Sequence, residues 1–159
     1  MTMLRYLLCA LLLLAQDLLA EEAFKTYTND RFGYTIDYPA RLLIPQGGSE
    51  KGDSQLFVSA DGEARLITYI SDNGQRQSIK DLFQKESRDA SSAKITKKVT
   101  YKIQKDNWFV VSGYIGPKIF YQKTFLTKEL FKTFYIEYPQ NQRHIYDPIM
   151  SRLGRSFRG

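Results

Sequence analysis

The chain has 159 residues, with 23 lysines and arginines against 17 aspartates and glutamates, a formal net charge of +6, one histidine and one cysteine. This length suits one domain around a single hydrophobic core. One histidine and one cysteine supply no donor set for zinc, and the sequence contains no Walker loop or Gly-x-Gly-x-x-Gly run to cradle a nucleotide.

The order of elements begins with a leader. Residues 1–5 are a basic start, residues 6–15 an unbroken apolar run, and Gln16 and Asp17 precede the small residue Ala20. The pattern reads as a secretory signal peptide over residues 1–20, leaving residues 21–159 as one domain outside the cytoplasm, periplasmic in a Gram-negative cell and secreted otherwise. The apolar run makes a helix of about 15 Å, half the hydrocarbon core of a bilayer, so no membrane span is expected after cleavage. Cys9 departs with the leader, and Leu7 and Leu8 before it are too large for a lipid-attachment site, so the core must hold without a disulfide. Residues 21–93 carry a net charge of −3 and residues 94–159 a net charge of +9. This asymmetry predicts a basic face toward an acidic protein surface or an anionic envelope component, and export excludes nucleic acid as a natural partner.

Tyr34, Ile36 and Tyr38 alternate with Thr35 and Asp37, which predicts a strand stopped by Pro39 and paired with residues 24–27. Residues 40–54, with Pro45, Gly47, Gly48 and Gly52, read as an exposed loop. Residues 55–59 and 64–71 flank Asp61-Gly62 as a hairpin. Ser78 is placed to cap a helix, with Asp81 at the positive end of its dipole and Ile79, Leu82 and Phe83 on its buried stripe. That helix should fray near residues 90–92.

Four strands follow, 95–104, 107–115, 118–127 and 130–138, with connections too short for crossovers, hence an antiparallel meander. In the first, Val99, Tyr101 and Ile103 alternate with Lys98, Thr100 and Lys102 as a dry and a wet face. In the second, Trp108, Val110 and Tyr114 oppose Phe109, Val111 and Ile115, which puts an apolar strand in the middle of a sheet covered on both faces. Ile145, Ile149 and Leu153, widened by Tyr146 and Met150, give a closing helix. Pro148 is harmless if that helix starts near Ile145 and kinks it if it starts at Gln140. The expected fold class is α+β, a twisted antiparallel sheet covered by helices on both faces, an α-β-α sandwich. The aromatics of residues 21–159 must be mostly core, with Tyr121, Tyr135 and Tyr138 near sheet margins where their hydroxyls find partners.

The run Phe32-Gly33-Tyr34-Thr35-Ile36-Asp37-Tyr38-Pro39, the strands 108–113 and 120–126, Ile136-Glu137-Tyr138-Pro139, and Tyr146-Asp147-Pro148-Ile149 closing on Arg155-Ser156-Phe157 together resemble the PsbP-like fold. That α-β-α sandwich is shared by the extrinsic PsbP subunit of photosystem II, a nuclear-import factor that binds the GTPase Ran, and many exported bacterial proteins. The shared positions are strand ends and core, so the resemblance implies a fold and a noncatalytic adaptor class but transfers no functional residue. PsbP binds its photosystem through an N-terminal extension, to which Glu21-Glu22-Ala23 shows no counterpart, and no photosynthetic role is implied.

Residues for chemistry are few. A serine nucleophile would depend on His144, the lone imidazole, which precedes the apolar stripe beside Arg143 and reads as exposed or capping. Asp37, Glu137 and Asp147 are the carboxylates that a glycoside hydrolase would pair. Asp147 before Pro148 reads more simply as a helix cap, and Glu137 as outward-facing unless a basic partner joins it. Asp30, Asp37, Asp53, Asp61 and Asp72 form no dense calcium loop, and turn chemistry explains most of them. The sequence therefore points to an exported, non-catalytic binding domain, with Lys98, Lys102, Arg152, Arg155 and Arg158 as candidate contacts. A small-molecule carrier with an aromatic cavity under the Trp108 strand and an uncharacterised hydrolase are the alternatives.

Overall fold

In a computed structural model of the chain, residues 23–159 are described. The leader and Cys9 lie outside these residues. Alternating aromatic and polar residues build a first hairpin, β1 (Phe24–Asn29) with β2 (Tyr34–Pro39), in the register Phe24 to Pro39 through Asn29 to Tyr34. The larger sheet contains β3 (Ile44–Gly48), β4 (Ser54–Val58), β5 (Arg65–Asp72), β6 (Ala90–Ser91), β7 (Thr96–Gln104), β8 (Trp108–Ile115), β9 (Lys118–Thr127) and β10 (Leu130–Pro139). Helix α1 (Ile79–Glu86) follows β5, and a 3-10 turn (Gln140–Gln142) leads into α2 (Arg143–Ser156). Every pairing is antiparallel, in the spatial order β3-β4-β5-β10-β9-β8-β7-β6. The class is α+β, as expected, and the four-strand meander from β7 to β10 is as read from its short turns.

Two segments depart from the sequence reading. Residues 44–48, expected in a loop, form the edge strand β3, which is exposed throughout and bulged between Pro45 and Gly47. An edge tolerates proline, and a Cβ on Gly48 would stand 2.7 Å from the Ser54 carbonyl, so the close pairing requires glycine there. Residues 90–91, expected as a fraying helix end, pair with Lys97 and Thr96.

Strand alternation sorts the core into two clusters. One holds Tyr34, Ile36, Phe57, Leu66, Phe134 and Ile136 together with Tyr146 and Leu153 of α2. Phe157, at the C-cap of α2, meets the rings of Phe125, Phe134 and Tyr34 at 4.9, 5.1 and 5.7 Å between centroids. The other cluster holds Phe109, Val111, Phe120 and Phe131 with Ile79 of α1, joined by Leu82 and Phe83. The cap of α1 is as expected and goes further: Asp81 N–H donates to Ser78 Oγ at 3.2 Å, and Ser78 N–H donates to Asp81 Oδ2 at 3.0 Å, a capping box. On β8, Phe109, Val110 and Val111 are buried while Trp108, Tyr114 and Ile115 are half-buried, and the centre of the sheet belongs to β10 and β9 rather than to β8.

Helix α2 starts at Arg143, so Pro148 lies inside it, and the carbonyl of His144 forgoes its usual donor. Its C-terminal end is held from below. Lys123 Nζ donates to the carbonyls of Gly154 at 2.6 Å and Phe157 at 3.4 Å, where the helix dipole favours a cation. Beyond the helix, Arg158 and Thr35 exchange backbone hydrogen bonds of 2.8 and 3.2 Å, tying the chain end to β2.

Candidate functional site

The sheet face that carries α2 is open along one side of that helix. The reason lies in β7, which carries a bulge between Val99 and Tyr101 opposite Gly113. A Cβ on Gly113 would stand 2.0 Å from the Lys98 carbonyl, so glycine lets the bulged backbone close in, and Asp89 Oδ1 accepts the Val99 N–H at 2.8 Å. The extra residue reverses the alternation expected for this strand. Val99 joins the α1 cluster, whereas Tyr101 lies opposite Ser112 on the α2 face and is 53% exposed. Lys98, opposite Tyr114, lies on the α2 face, and Lys102, opposite Val111, on the α1 face.

Between this strand and α2 opens a cleft of about 330 Å³. Ser112, Tyr114 and Tyr121 form its floor, Thr100 one rim, and Arg143, Asp147 and Met150 the helical rim. Tyr121 stacks on Phe134 at 5.6 Å, and its hydroxyl makes no hydrogen bond among the described residues. Burial pushes that hydroxyl up to about 12, with Tyr101 adding to the effect. Tyr138 donates to Asp147 Oδ1 at 2.7 Å and stacks on Tyr146 at 5.0 Å; burial, then the Asp147 bond, raises its hydroxyl further. Arg143 reaches Asp147 Oδ2 at 3.1 Å from one turn back.

Asp147 is therefore not a helix cap. The helix has already run one turn by that point, and the Asp147 carboxylate joins β10 to α2 instead. The other two carboxylates singled out from sequence also have their own cations: Asp37 is 3.3 Å from Arg152, and Glu137 is 3.1 Å from Lys118. Glu137 is thus half-buried and paired rather than outward-facing, and it accepts the Tyr135 hydroxyl at 3.3 Å. Tyr135 and Tyr138 accordingly sit on the central strand with carboxylate partners, not at a sheet margin. His144 is exposed on α2. Asp61 and Asp53 serve turns, accepting from Ser59 and Ser49.

The five candidate cations are dispersed. Lys98 stands opposite Tyr114 on the α2 face, and Lys102 lies on the opposite face because of the bulge. Arg152 is engaged with Asp37 and lies 4.2 Å over the Phe24 ring. Arg155 is exposed and donates to Ser151, and Arg158 borders a second cleft beside Trp108 and Lys123. Sequence reasoning missed Tyr101, Tyr114, Tyr121 and Arg143 as one group; the glycine opposite a lysine-rich strand was the available sign of a bulge, but not of its consequence.

No family model matches the chain, and no curated protein matches it in sequence. Among solved structures, that of cyanobacterial PsbP (CyanoP) from Synechocystis sp. PCC 6803 superposes with a TM-score of 0.54 at 10% identity, covering 86% of this chain and 92% of that one. A crystal structure from Bacteroides thetaiotaomicron VPI-5482 matches with a TM-score of 0.43 at 11% identity, over 74% of this chain and 42% of that one, and at that score carries no argument. The chain has the PsbP-like fold. At such identity the likeness concerns architecture and assigns no ligand or partner.

Proposed function

We propose that the chain is an exported, non-catalytic PsbP-type domain, its leader over residues 1–20 removed, its helices shielding both sheet faces in residues 21–159, and its role the binding of a protein or envelope component. The observation that carries this reading is the tyrosine-floored cleft beside α2. Its one carboxylate is neutralised by Arg143 and fixed by Tyr138, which suits a surface that recognises and leaves no free acid or base for turnover. Of the candidate contacts, Lys98 stands opposite Tyr114 of this cleft, and Arg158 lines the second cleft beside Trp108. No helix among the described residues is long and apolar enough to cross a bilayer.

A photo-crosslinking residue at position 101, introduced in cells, tests the reading. A discrete adduct that saturates, and that weakens when Tyr114 is replaced by lysine, is expected. Absence of an adduct from position 101 and from the neighbouring position 100 would overturn it, as would turnover that disappears on replacing Asp147. A small-molecule carrier is the second reading, favoured by the cleft volume, which lies at the lower end of ligand pockets. It predicts a metabolite that raises the melting midpoint with concentration.

A further inference from the structure

The tyrosine cleft has a companion in line with it. On the α2 face, β8 and β9 present facing pairs in successive rows, from Tyr114 with Ile119 at one end to Trp108 with Phe125 at the other. The first cleft occupies the Tyr114 end. A second, of about 210 Å³, opens at the Trp108 end, walled by Trp108, Lys123, Phe157 and Arg158. Six residues of extended backbone separate Tyr114 from Trp108, a span of about 20 Å.

The charges around this line are one-sided. Arg143 lines the first cleft and Lys98 stands opposite Tyr114 of its floor, while Lys123 and Arg158 line the second. Asp147, among the described residues the one carboxylate side chain lining either cleft, is already matched by Arg143. Between the charges lie an exposed Tyr101 ring, the unpartnered Tyr121 hydroxyl and the Trp108 ring, over which Lys123 sits at 5.4 Å.

We infer that the two clefts together take an extended acidic segment of a partner protein, with an aromatic or apolar side chain seated on the tyrosines and carboxylates meeting Lys98 at one end and Arg158 at the other. The inference rests on the recognition reading of the first cleft and names its partner. Charge complementarity selects an acidic ligand, and the strand-parallel spacing of two narrow clefts selects an extended chain. A lipid leaflet would engage cations on a flat or convex face, whereas these border concavities at separated points.

Fluorescence anisotropy with the exported protein and labelled peptides of about ten residues, long enough to span both clefts, tests it. One peptide carries aspartates around a central tyrosine, a second has those aspartates replaced by lysines, and a third keeps them but lacks the tyrosine. The first should bind at least about tenfold tighter than either of the others, with an advantage over the second that shrinks as salt is raised. Lys98→Glu and Arg158→Glu should each weaken it severalfold and Tyr101→Ala likewise, while Lys80→Glu on α1 leaves it unchanged. These side chains are exposed, so unchanged melting midpoints verify that the variants fold. Equal affinity for acidic and basic peptides, indifference to the Lys98 and Arg158 changes, or tighter binding to anionic glycan or to phosphatidylglycerol vesicles would overturn the inference. A crosslink at position 101 surviving such a result would leave the recognition reading standing alone.

Discussion

The guanidinium of Arg152 lies 4.2 Å from the centroid of the Phe24 ring while its Nε donates to Asp37 at 3.3 Å, so one side chain of α2 clamps both strands of the first hairpin. A residue whose charge suggests an outward contact thus holds the fold together. Thr26 donates to the other oxygen of Asp37, at 2.8 Å, which fixes the carboxylate for this role.

Arg152→Ala should therefore destabilise the domain by about 1 kcal/mol, the sum expected for a partly exposed ion pair and a cation–π contact. The melting midpoint should fall by about 2–4 °C. Arg152→Glu should lower it further by placing two carboxylates together, while Arg155→Ala should leave it in place. Thermal denaturation followed by circular dichroism decides, and an unmoved midpoint for both Arg152 variants would show that the clamp contributes nothing.

At high pH the tyrosines control stability. Tyr34, Tyr69, Tyr121, Tyr135, Tyr138 and Tyr146 all have hydroxyls raised above the ordinary value of 10.0, burial being the leading cause in each. A raised folded-state value means that the unfolded chain releases these protons first. Their contribution is whole below pH 10 and declines as the pH rises toward about 12, where Tyr121 titrates. Tyrosinate absorbance should consequently appear in two phases, the second coincident with loss of secondary structure. A single phase near pH 10 with the circular dichroism intact would contradict this.

Gly113→Ala should disrupt β7 specifically. The new methyl would meet the Lys98 carbonyl at 2.0 Å, a backbone atom that cannot swing aside, and overpacking of this kind costs about 2–3 kcal/mol. Amide exchange should accelerate in β7 and leave the β1–β2 hairpin protected. Normal protection of the Val99 amide in this variant would mean that the bulge does not depend on glycine.

Asp61 links the β4–β5 turn to the approach of α2. Its carboxyl is held down to about 2, first by the Ser59 hydroxyl, then by the Glu63 N–H and by Gln142, which donates at 2.9 Å. Because the folded value is depressed, the link is intact above the ordinary value of 3.8 and dissolves as pH falls toward about 2. Carbon-detected titration of Asp61 should show a midpoint well below the other exposed aspartates, moving upward in Gln142→Ala. Equal midpoints in the two proteins would remove Gln142 from the account.

Local signals were readable in the sequence. Ser78 and Asp81 announced a helix start because capping needs only neighbours in the chain, and the meander followed from period-two alternation punctuated by short turns. β3 escaped notice because Ile44-Pro45-Gln46-Gly47-Gly48 has no alternation, and its pairing comes from β4 rather than from its own side chains. The bulge escaped for a related reason: its cause is Gly113 on the neighbouring strand. That single extra residue parts Lys98 from Lys102, so the cleft face could not be assembled by counting along β7. Asp147 was misread as a cap, and the tertiary bonds of Lys123 and Arg152 were not foreseen, because the partners, Tyr138, Gly154 and Asp37, lie on other elements.

β10 sits between β5 on one flank and β9 on the other, so the two portions of the large sheet share no neighbouring strands until it arrives. During synthesis, the ribbons made earlier remain two unjoined fragments, and the loop from Asp72 to Leu130 closes only when this last strand slots in. A chain cut short before residue 130 would thus have no route to a cooperative native state, and one still leaving the ribosome would stay open until its C-terminal end is free.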